Sequence, residues 1–169
     1  MTRPSNAPRR TLLLTGASRG IGHATAIRFS SAGWRVITLS RHAFPEVCPW
    51  GAGPEDHIEV DLGSHDDTVR AISEIRQRLD NDELHALVNN AAIYGDMQFD
   101  LLITVDWDYY RRFMSVNMDG ALVMTRACFP HMQARGGGSI VNQSSTAAYL
   151  YSGFYGLAKV GVNGLTQQL

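Results

Sequence analysis

A chain of 169 residues, 44% hydrophobic and 18% charged, is long enough to close one sizeable core and points to a single α/β unit. Its net charge of −1 gives no electrostatic reason to bind nucleic acid or an anionic membrane surface. Apolar runs such as Thr11 to Thr15 and Leu84 to Val88 fall far short of the ~20 residues a bilayer span needs, and Cys48 and Cys128 stand apart without metal-ligand spacing, as in a reduced cytoplasmic protein.

Residues 1–10 are polar, contain Pro4 and Pro8, and read as a flexible lead-in without a secretory leader. Thr11 to Thr15 is a first strand whose composition suits burial on both faces. A glycine-rich turn follows, then a helix from about Gly20 to Ala32, closed by Gly33. Arg35 to Ser40 is a second strand, and Phe44 to Pro54, rich in proline and glycine, is a loop. His57 to Val60 is a third strand, and Ser64 to Asp67 forms a capping box for a helix ending near Leu79. Leu84 to Val88 is a fourth strand running into Asn89-Asn90-Ala91-Ala92. A long helical pattern then covers Val105 to Ala134, with Thr104 as candidate N-cap and Pro130 set to kink or separate its last turn. Ser139 to Gln143 is a fifth strand, and a final helix starts at about Phe154 and has not ended at Leu169. Strands alternating with helices indicate βαβ units and a parallel sheet.

The first strand-to-helix turn reads Thr15-Gly16-Ala17-Ser18-Arg19-Gly20-Ile21-Gly22. Gly16 suits a tight turn, Gly20 lets a phosphate approach the backbone, and Gly22 permits close helix–strand packing. Free amides and the positive helix end favour a pyrophosphate. Where the second strand ends, a carboxylate would select NAD; Ser40 and Arg41 stand there instead, with Arg19 in the glycine loop. Guanidiniums without a carboxylate suit a 2′-phosphate, so NADP(H) is expected over NAD(H). The alternative is that both arginines are solvated surface charges. Asp61 has two open readings, an acceptor for the adenine amino group or an aspartate turning the loop before Ser64.

Together with Asn89-Asn90-Ala91, Asn117, Ser144-Ser145 and Tyr155-x-x-x-Lys159, in that order, this loop resembles the short-chain dehydrogenases/reductases from Thr11 onward. The resemblance implies a three-layer, doubly wound parallel sheet (the Rossmann fold) with strand order 3-2-1-4-5. It also implies that later strands are missing and that residues 11–169 are one dinucleotide-binding and catalytic domain, incomplete at its C-terminus. Such a fragment is expected to expose an apolar edge on the fifth strand. The residues implied to hold the cofactor are Gly16, Ser18, Arg19, Gly20, Ile21, Gly22, Ser40, Arg41, Asp61, Leu62, Asn89, Ala91, Tyr155 and Lys159.

Tyr155 and Lys159 lie four apart on a helical pattern and share a face. A phenol, ordinarily near pKa ~10, is a poor base at neutral pH, and an adjacent ammonium favours its ionised form. By resemblance, Tyr155 exchanges a proton with the substrate oxygen, Lys159 also holds the nicotinamide ribose, and Ser145 orients the reacting oxygen. Ser144 is the competing choice for that role, with a loop cap its preferred reading. Asn117 is implied to bend its helix and hold a water that links Lys159 to solvent; a buried structural Asn is the other reading. Ala92 departs from the family's usual glycine there, which predicts a modest perturbation of cofactor binding. Tyr149, Leu150, Tyr151 and Phe154 are read either as pocket walls or as cover for a core or subunit contact. The expected activity is hydride transfer between NADP(H) and a small alcohol or carbonyl compound, by a chain that forms a dimer or tetramer when full length. A non-catalytic dinucleotide-binding protein, or an inactive fragment of such an enzyme, is the competing reading.

Overall fold

The structure is a computed structural model describing residues 9–44, 51–79, 83–94 and 102–169. Residues 1–8 of the lead-in, most of the 44–54 loop and Cys48 lie outside the described residues. Strands β1 (Thr11–Thr15), β2 (Arg35–Ser40), β3 (His57–Glu59), β4 (Leu84–Asn89) and β5 (Ser139–Asn142) form one parallel sheet in the order β3-β2-β1-β4-β5. Five helices accompany them among the described residues: α1 (Gly20–Ser31), α2 (His65–Leu79), α3 (Trp107–Met114), α4 (Gly120–Ala134) and α5 (Gly153–Gln168).

The period-2 alternation of a strand sorts side chains between two cores. On β1, Leu13 faces a cluster with Ile37, Leu39, Ile75, Leu87, Met124 and Cys128, beneath α2 and α4. Leu12 and Leu14 face the opposite side, against Ala17, Ala26 and Val36 under α1. Both faces of the central strand are covered, so it needs no polar face and can be a continuous apolar run. Each fully buried leucine contributes on the order of 2 kcal/mol of transfer free energy. Cys128 is sealed in this core, where burial pushes its thiol up to about 12 and keeps it inert. The sheet's two edge strands are β3 and β5, and Val141 of β5 is half exposed.

Most expected boundaries hold within a residue, and the differences have local causes. Helix α2 carries only half of the expected capping box. Ser64 Oγ accepts from the Asp67 amide, while the Asp67 carboxylate turns outward to accept from the Asp61 amide. The N-cap of α3 is Asp106, not Thr104: its Oδ1 accepts the Tyr109 amide at 2.8 Å. Pro130 neither ends nor separates α4, because it lies on the exposed side, where water can satisfy the carbonyl it leaves without a donor.

Between α3 and α4 the helix continues as one π-helical turn, Ser115–Asp119. Asn117 sits inside it, 2% exposed. Its Nδ2 donates to the Phe113 carbonyl at 3.0 Å and its Oδ1 accepts the Ile93 amide at 3.1 Å. The wider turn lets this carboxamide reach the loop after β4 and tie it to the helix. Asn117→Ala leaves the Ile93 amide and the Phe113 carbonyl without these partners. It is expected to lower stability by about 1–3 kcal/mol, measured by equilibrium urea unfolding.

Candidate active site

In a parallel sheet wound in both directions from its centre, the crevice opens at the carboxyl ends of the strands where the order reverses. Here that point lies between β1 and β4. Gly16 leaves β1 with φ +72°, a conformation that favours glycine, and a Cβ on it would come within 2.8 Å of the Ala91 Cα. Gly22, in the first turn of α1, packs so closely that a Cβ there would overlap the Gly16 carbonyl oxygen. Arg19, itself extended, is the N-cap of α1, with no side-chain cap and no acidic residue in the first turn. That helix end therefore keeps its positive character for a ligand.

The two loops flanking the crevice are locked together. Thr15 Oγ1 accepts the amides of Asn90 and Ala91, each at 3.0 Å. Asn90 Nδ2 donates to the carbonyls of Thr15 and Gly16, both at 3.1 Å. The result is a cleft of about 700 Å³ lined by the glycine loop, the ends of β2 and β3, the loop after β4, and Tyr155 and Lys159.

Of the residues expected at a cofactor, Gly16, Ser18, Arg19, Gly20, Ile21, Ser40, Arg41, Asp61, Leu62, Ala91, Tyr155 and Lys159 line this cleft, and Gly22 shapes it from behind. Asn89 does not line it. Its buried carboxamide faces α4 and β5, donating to Ala121 O, Thr125 Oγ1 and Asn142 Oδ1, so it fastens the sheet to its helix. Asp61 combines its two readings. Its Oδ1 accepts the Gly63 amide and turns the loop, its Oδ2 pairs with Arg112 at 2.8 Å, and the residue still borders the cleft. At the end of β2, Ser40 is held by reciprocal hydrogen bonds with His42, while Arg41 and Arg19 are exposed. His57 Nε2 donates to the His42 carbonyl at 2.8 Å and pins this turn.

Tyr155 and Lys159 share one face of α5. The tyrosine ring packs edge-on to Phe113 (6.1 Å) and against Tyr94 (5.0 Å). Lys159 Nζ lies 5.8 Å from the Tyr155 ring centre and donates to the Gln143 carbonyl at 2.8 Å. Lys159 is 3% exposed, and its burial holds it below the ordinary lysine pKa of 10.5. A void of about 10 Å³, lined by Asn89, Asn117, Gln143 and Lys159 among others, lies beside it, enough for about one water molecule.

The serines exchange one expected duty. Ser145, not Ser144, caps the loop: its Oγ accepts the Ala147 amide at 3.1 Å and starts the 3₁₀ turn Thr146–Tyr149. That turn takes up the short ten-residue step to Tyr155. Ser145 Oγ keeps its own proton to donate. Ser144 Oγ is buried without a hydrogen-bond partner beside the cleft. The open glycine loop and the uncapped helix end make the cleft fit a dinucleotide.

Beyond Tyr155 a second crevice, of about 1010 Å³, opens between Leu102–Ile103, the 3₁₀ turn and the first turns of α5. Leu150 and Tyr151 line it, whereas Phe154 is also buried against Phe113 and Tyr149 is absent from the described lining. The two crevices meet at Tyr94, Ser145 and Tyr155. Tyr94 and Gln143 were missed from sequence. Their only signal is an aromatic residue three beyond Ala91, and a polar side chain at the end of an apolar strand.

The family described as short chain dehydrogenase has a sequence profile that matches residues 10–169. An uncharacterized oxidoreductase of Mycobacterium tuberculosis is 48% identical over 165 residues, covering 95% of this chain and 66% of the relative. The protein FixR of Bradyrhizobium diazoefficiens is 42% identical over 170 residues, covering 95% and 60%. This chain thus spans less than two thirds of the length of these curated relatives. Among solved structures, an oxidoreductase of the short chain dehydrogenase/reductase family from Brucella ovis, in complex with a partially ordered NAD, superposes with TM-score 0.86. It is 45% identical, and the match covers 95% of this chain and 75% of that one.

Two outcomes follow from the cleft's geometry. Gly22→Ala is expected to cost about 1–3 kcal/mol by overpacking and to weaken binding of 5′-ADP in calorimetry, because it pushes the Gly16 turn outward. Lys159 disfavours its charged form in the fold, so its penalty is full below its lowered pKa. The penalty is relieved as pH rises through that value toward 10.5. Lys159→Met is therefore expected to melt above the wild type at neutral pH, with the advantage shrinking toward 10.5 in thermal scans.

Proposed function

This chain belongs to the short-chain dehydrogenase family, and on that premise we propose that residues 11–169 form a dinucleotide-binding and catalytic domain for NADP(H)-linked interconversion of an alcohol and a ketone. The observation that carries the proposal is the meeting of the two crevices at Ser145 and Tyr155. A cofactor in one and a substrate in the other would share those side chains.

The amides of the glycine loop and the N-terminus of α1 would hold the pyrophosphate. Arg19 and Arg41 would face a 2′-phosphate beside Ser40, and Asp61 and Leu62 would border the adenine. When bound, the nicotinamide supplies the hydride donor or acceptor. In the reductive direction Tyr155 gives its phenolic proton to the substrate oxygen, and Ser145 donates a hydrogen bond to the same oxygen. Lys159 contributes a positive charge beside the phenol and would hydrogen-bond the nicotinamide ribose. A water in the small void between Asn117 and Lys159 would carry the replacement proton inward. The Brucella ovis relative is described with NAD, so both dinucleotides belong in the test. A homo-oligomer is part of the same reading, built on the outer side of α4, where Phe129 is exposed.

NADPH oxidation with a panel of ketones is expected to fall about 10²- to 10⁴-fold in Tyr155→Phe with NADPH binding retained; equal rates in both proteins would remove the assignment. Arg41→Ala is expected to narrow the preference for NADPH over NADH by about tenfold. Equal affinities for the two dinucleotides in the wild type would instead show that the 2′-phosphate is not read.

A further inference from the structure

We infer that Tyr94 is the specificity-determining wall of the substrate crevice, and that this crevice takes an uncharged, apolar ketone or alcohol carrying a ring or bulky aliphatic group. The inference rests on the enzyme reading above and adds what that reading leaves open, the chemical class of the substrate.

The first argument is charge. No Lys, Arg, His, Asp or Glu lines the second crevice among the described residues. Leu102, Ile103, Leu150, Tyr151, Leu157 and Val160 line it and are exposed there. A carboxylate or phosphate entering it would lose water and meet no guanidinium or ammonium. Lys159 borders the cofactor cleft instead and is engaged with the Gln143 carbonyl.

The second argument is hydrogen bonding. A sugar needs several donors and acceptors aimed at its hydroxyls. Ser152 Oγ is turned back to the carbonyls of Ala147 and Leu150, and Ser145 already accepts the Ala147 amide. The amides and carbonyls of the 3₁₀ turn are largely spent on one another and on these serines. What the crevice offers is mainly apolar surface, interrupted by the hydroxyls of Tyr94, Thr146, Tyr151 and Tyr155.

Tyr94 concentrates this surface at the reacting position. It is 63% exposed, yet its ring centre lies 5.0 Å from that of Tyr155 at an interplanar angle of 58°. Tyr155 is thereby held between Tyr94 and Phe113. Any group on a carbon whose oxygen reaches the Tyr155 hydroxyl must pass beside the open face of Tyr94. Aromatic and aliphatic groups gain from that contact, whereas hydrated polar ones lose water to it.

Ligand-observed NMR titrations of the chain with acetophenone, cyclohexanone, pyruvate and glucose test this directly. They use wild type, Tyr94→Phe and Tyr94→Ala, each checked by its thermal melt. Acetophenone and cyclohexanone are expected to bind at least about tenfold more tightly than pyruvate or glucose. Tyr94→Phe should retain the acetophenone affinity. Tyr94→Ala should lose about three- to tenfold of it, a larger loss than any it causes for 2′,5′-ADP, which is proposed to sit at the Arg19 and Arg41 end of the other cleft. Binding of pyruvate or glucose equal to that of acetophenone overturns the inference. So does absence of ketone binding, or an acetophenone affinity indifferent to Tyr94→Ala. Failure of the enzyme reading is registered separately, by NADPH oxidation that is equal in the wild type and Tyr155→Phe.

Discussion

The Gly16 carbonyl occupies the space into which any side chain on Gly22 would project, and Asn90 donates to that same carbonyl from the neighbouring loop. This contact sets how near α1 approaches the sheet, and so how widely the cleft opens at the ends of β1 and β4. Thr15 Oγ1, accepting two amides from residues 90 and 91, fixes the second side of the same junction. The sheet beneath cannot shift to compensate. Leu12, Leu13 and Leu14 are all fully buried, with Leu13 in the core on one face and its two neighbours in the core on the other. Rigid packing below and backbone polar groups locked above together make a preformed cleft.

That rigidity carries an electrostatic cost, concentrated around Lys159. An ammonium 3% exposed, hydrogen-bonded to the Gln143 carbonyl and facing no carboxylate in an ion pair among the described residues, is a poor contributor to stability. Two buried oxygens nearby, Ser144 Oγ and Asn89 Oδ1, lack partners as well. In a structural core such groups would be replaced by apolar ones. Here they border the places where a dinucleotide and a relay water are proposed to sit. The region least favourable to folding is thus the region assigned the chemistry.

The strands were legible from sequence because each is short and centred on β-branched or aliphatic residues, with Gly, Pro or Asn near its ends. Burial on both faces of β1 follows from three consecutive leucines. The glycine loop was legible because three glycines between a buried strand and a helix have separate steric duties. Features set by tertiary contact were not. Nothing in Ser115 to Asp119 announces a π turn; it follows from Asn117 reaching the Ile93 amide on another loop. Thr104 and Asp106 are both plausible N-caps, and the choice depends on where the helix meets the sheet. Asn89 and Asn90 are chemically identical neighbours. Strand alternation sends the first into the packing between β4, α4 and β5, and leaves the second to brace the glycine loop.

The segment from Asn89 to Tyr94 shows how one stretch of chain can serve both crevices. Asn89 anchors it in the core, Asn90 and Ala91 bind it to the end of β1, and the Ile93 amide binds it to the π turn. Beyond those points Tyr94 lies against Tyr155. The cleft proposed for the cofactor is thus built largely from backbone groups whose positions the sheet dictates. The crevice proposed for the substrate is built from exposed side chains that can change without disturbing the sheet. A single fold can in this way keep its dinucleotide cleft while its substrate is set by a few apolar residues at the crevice mouth.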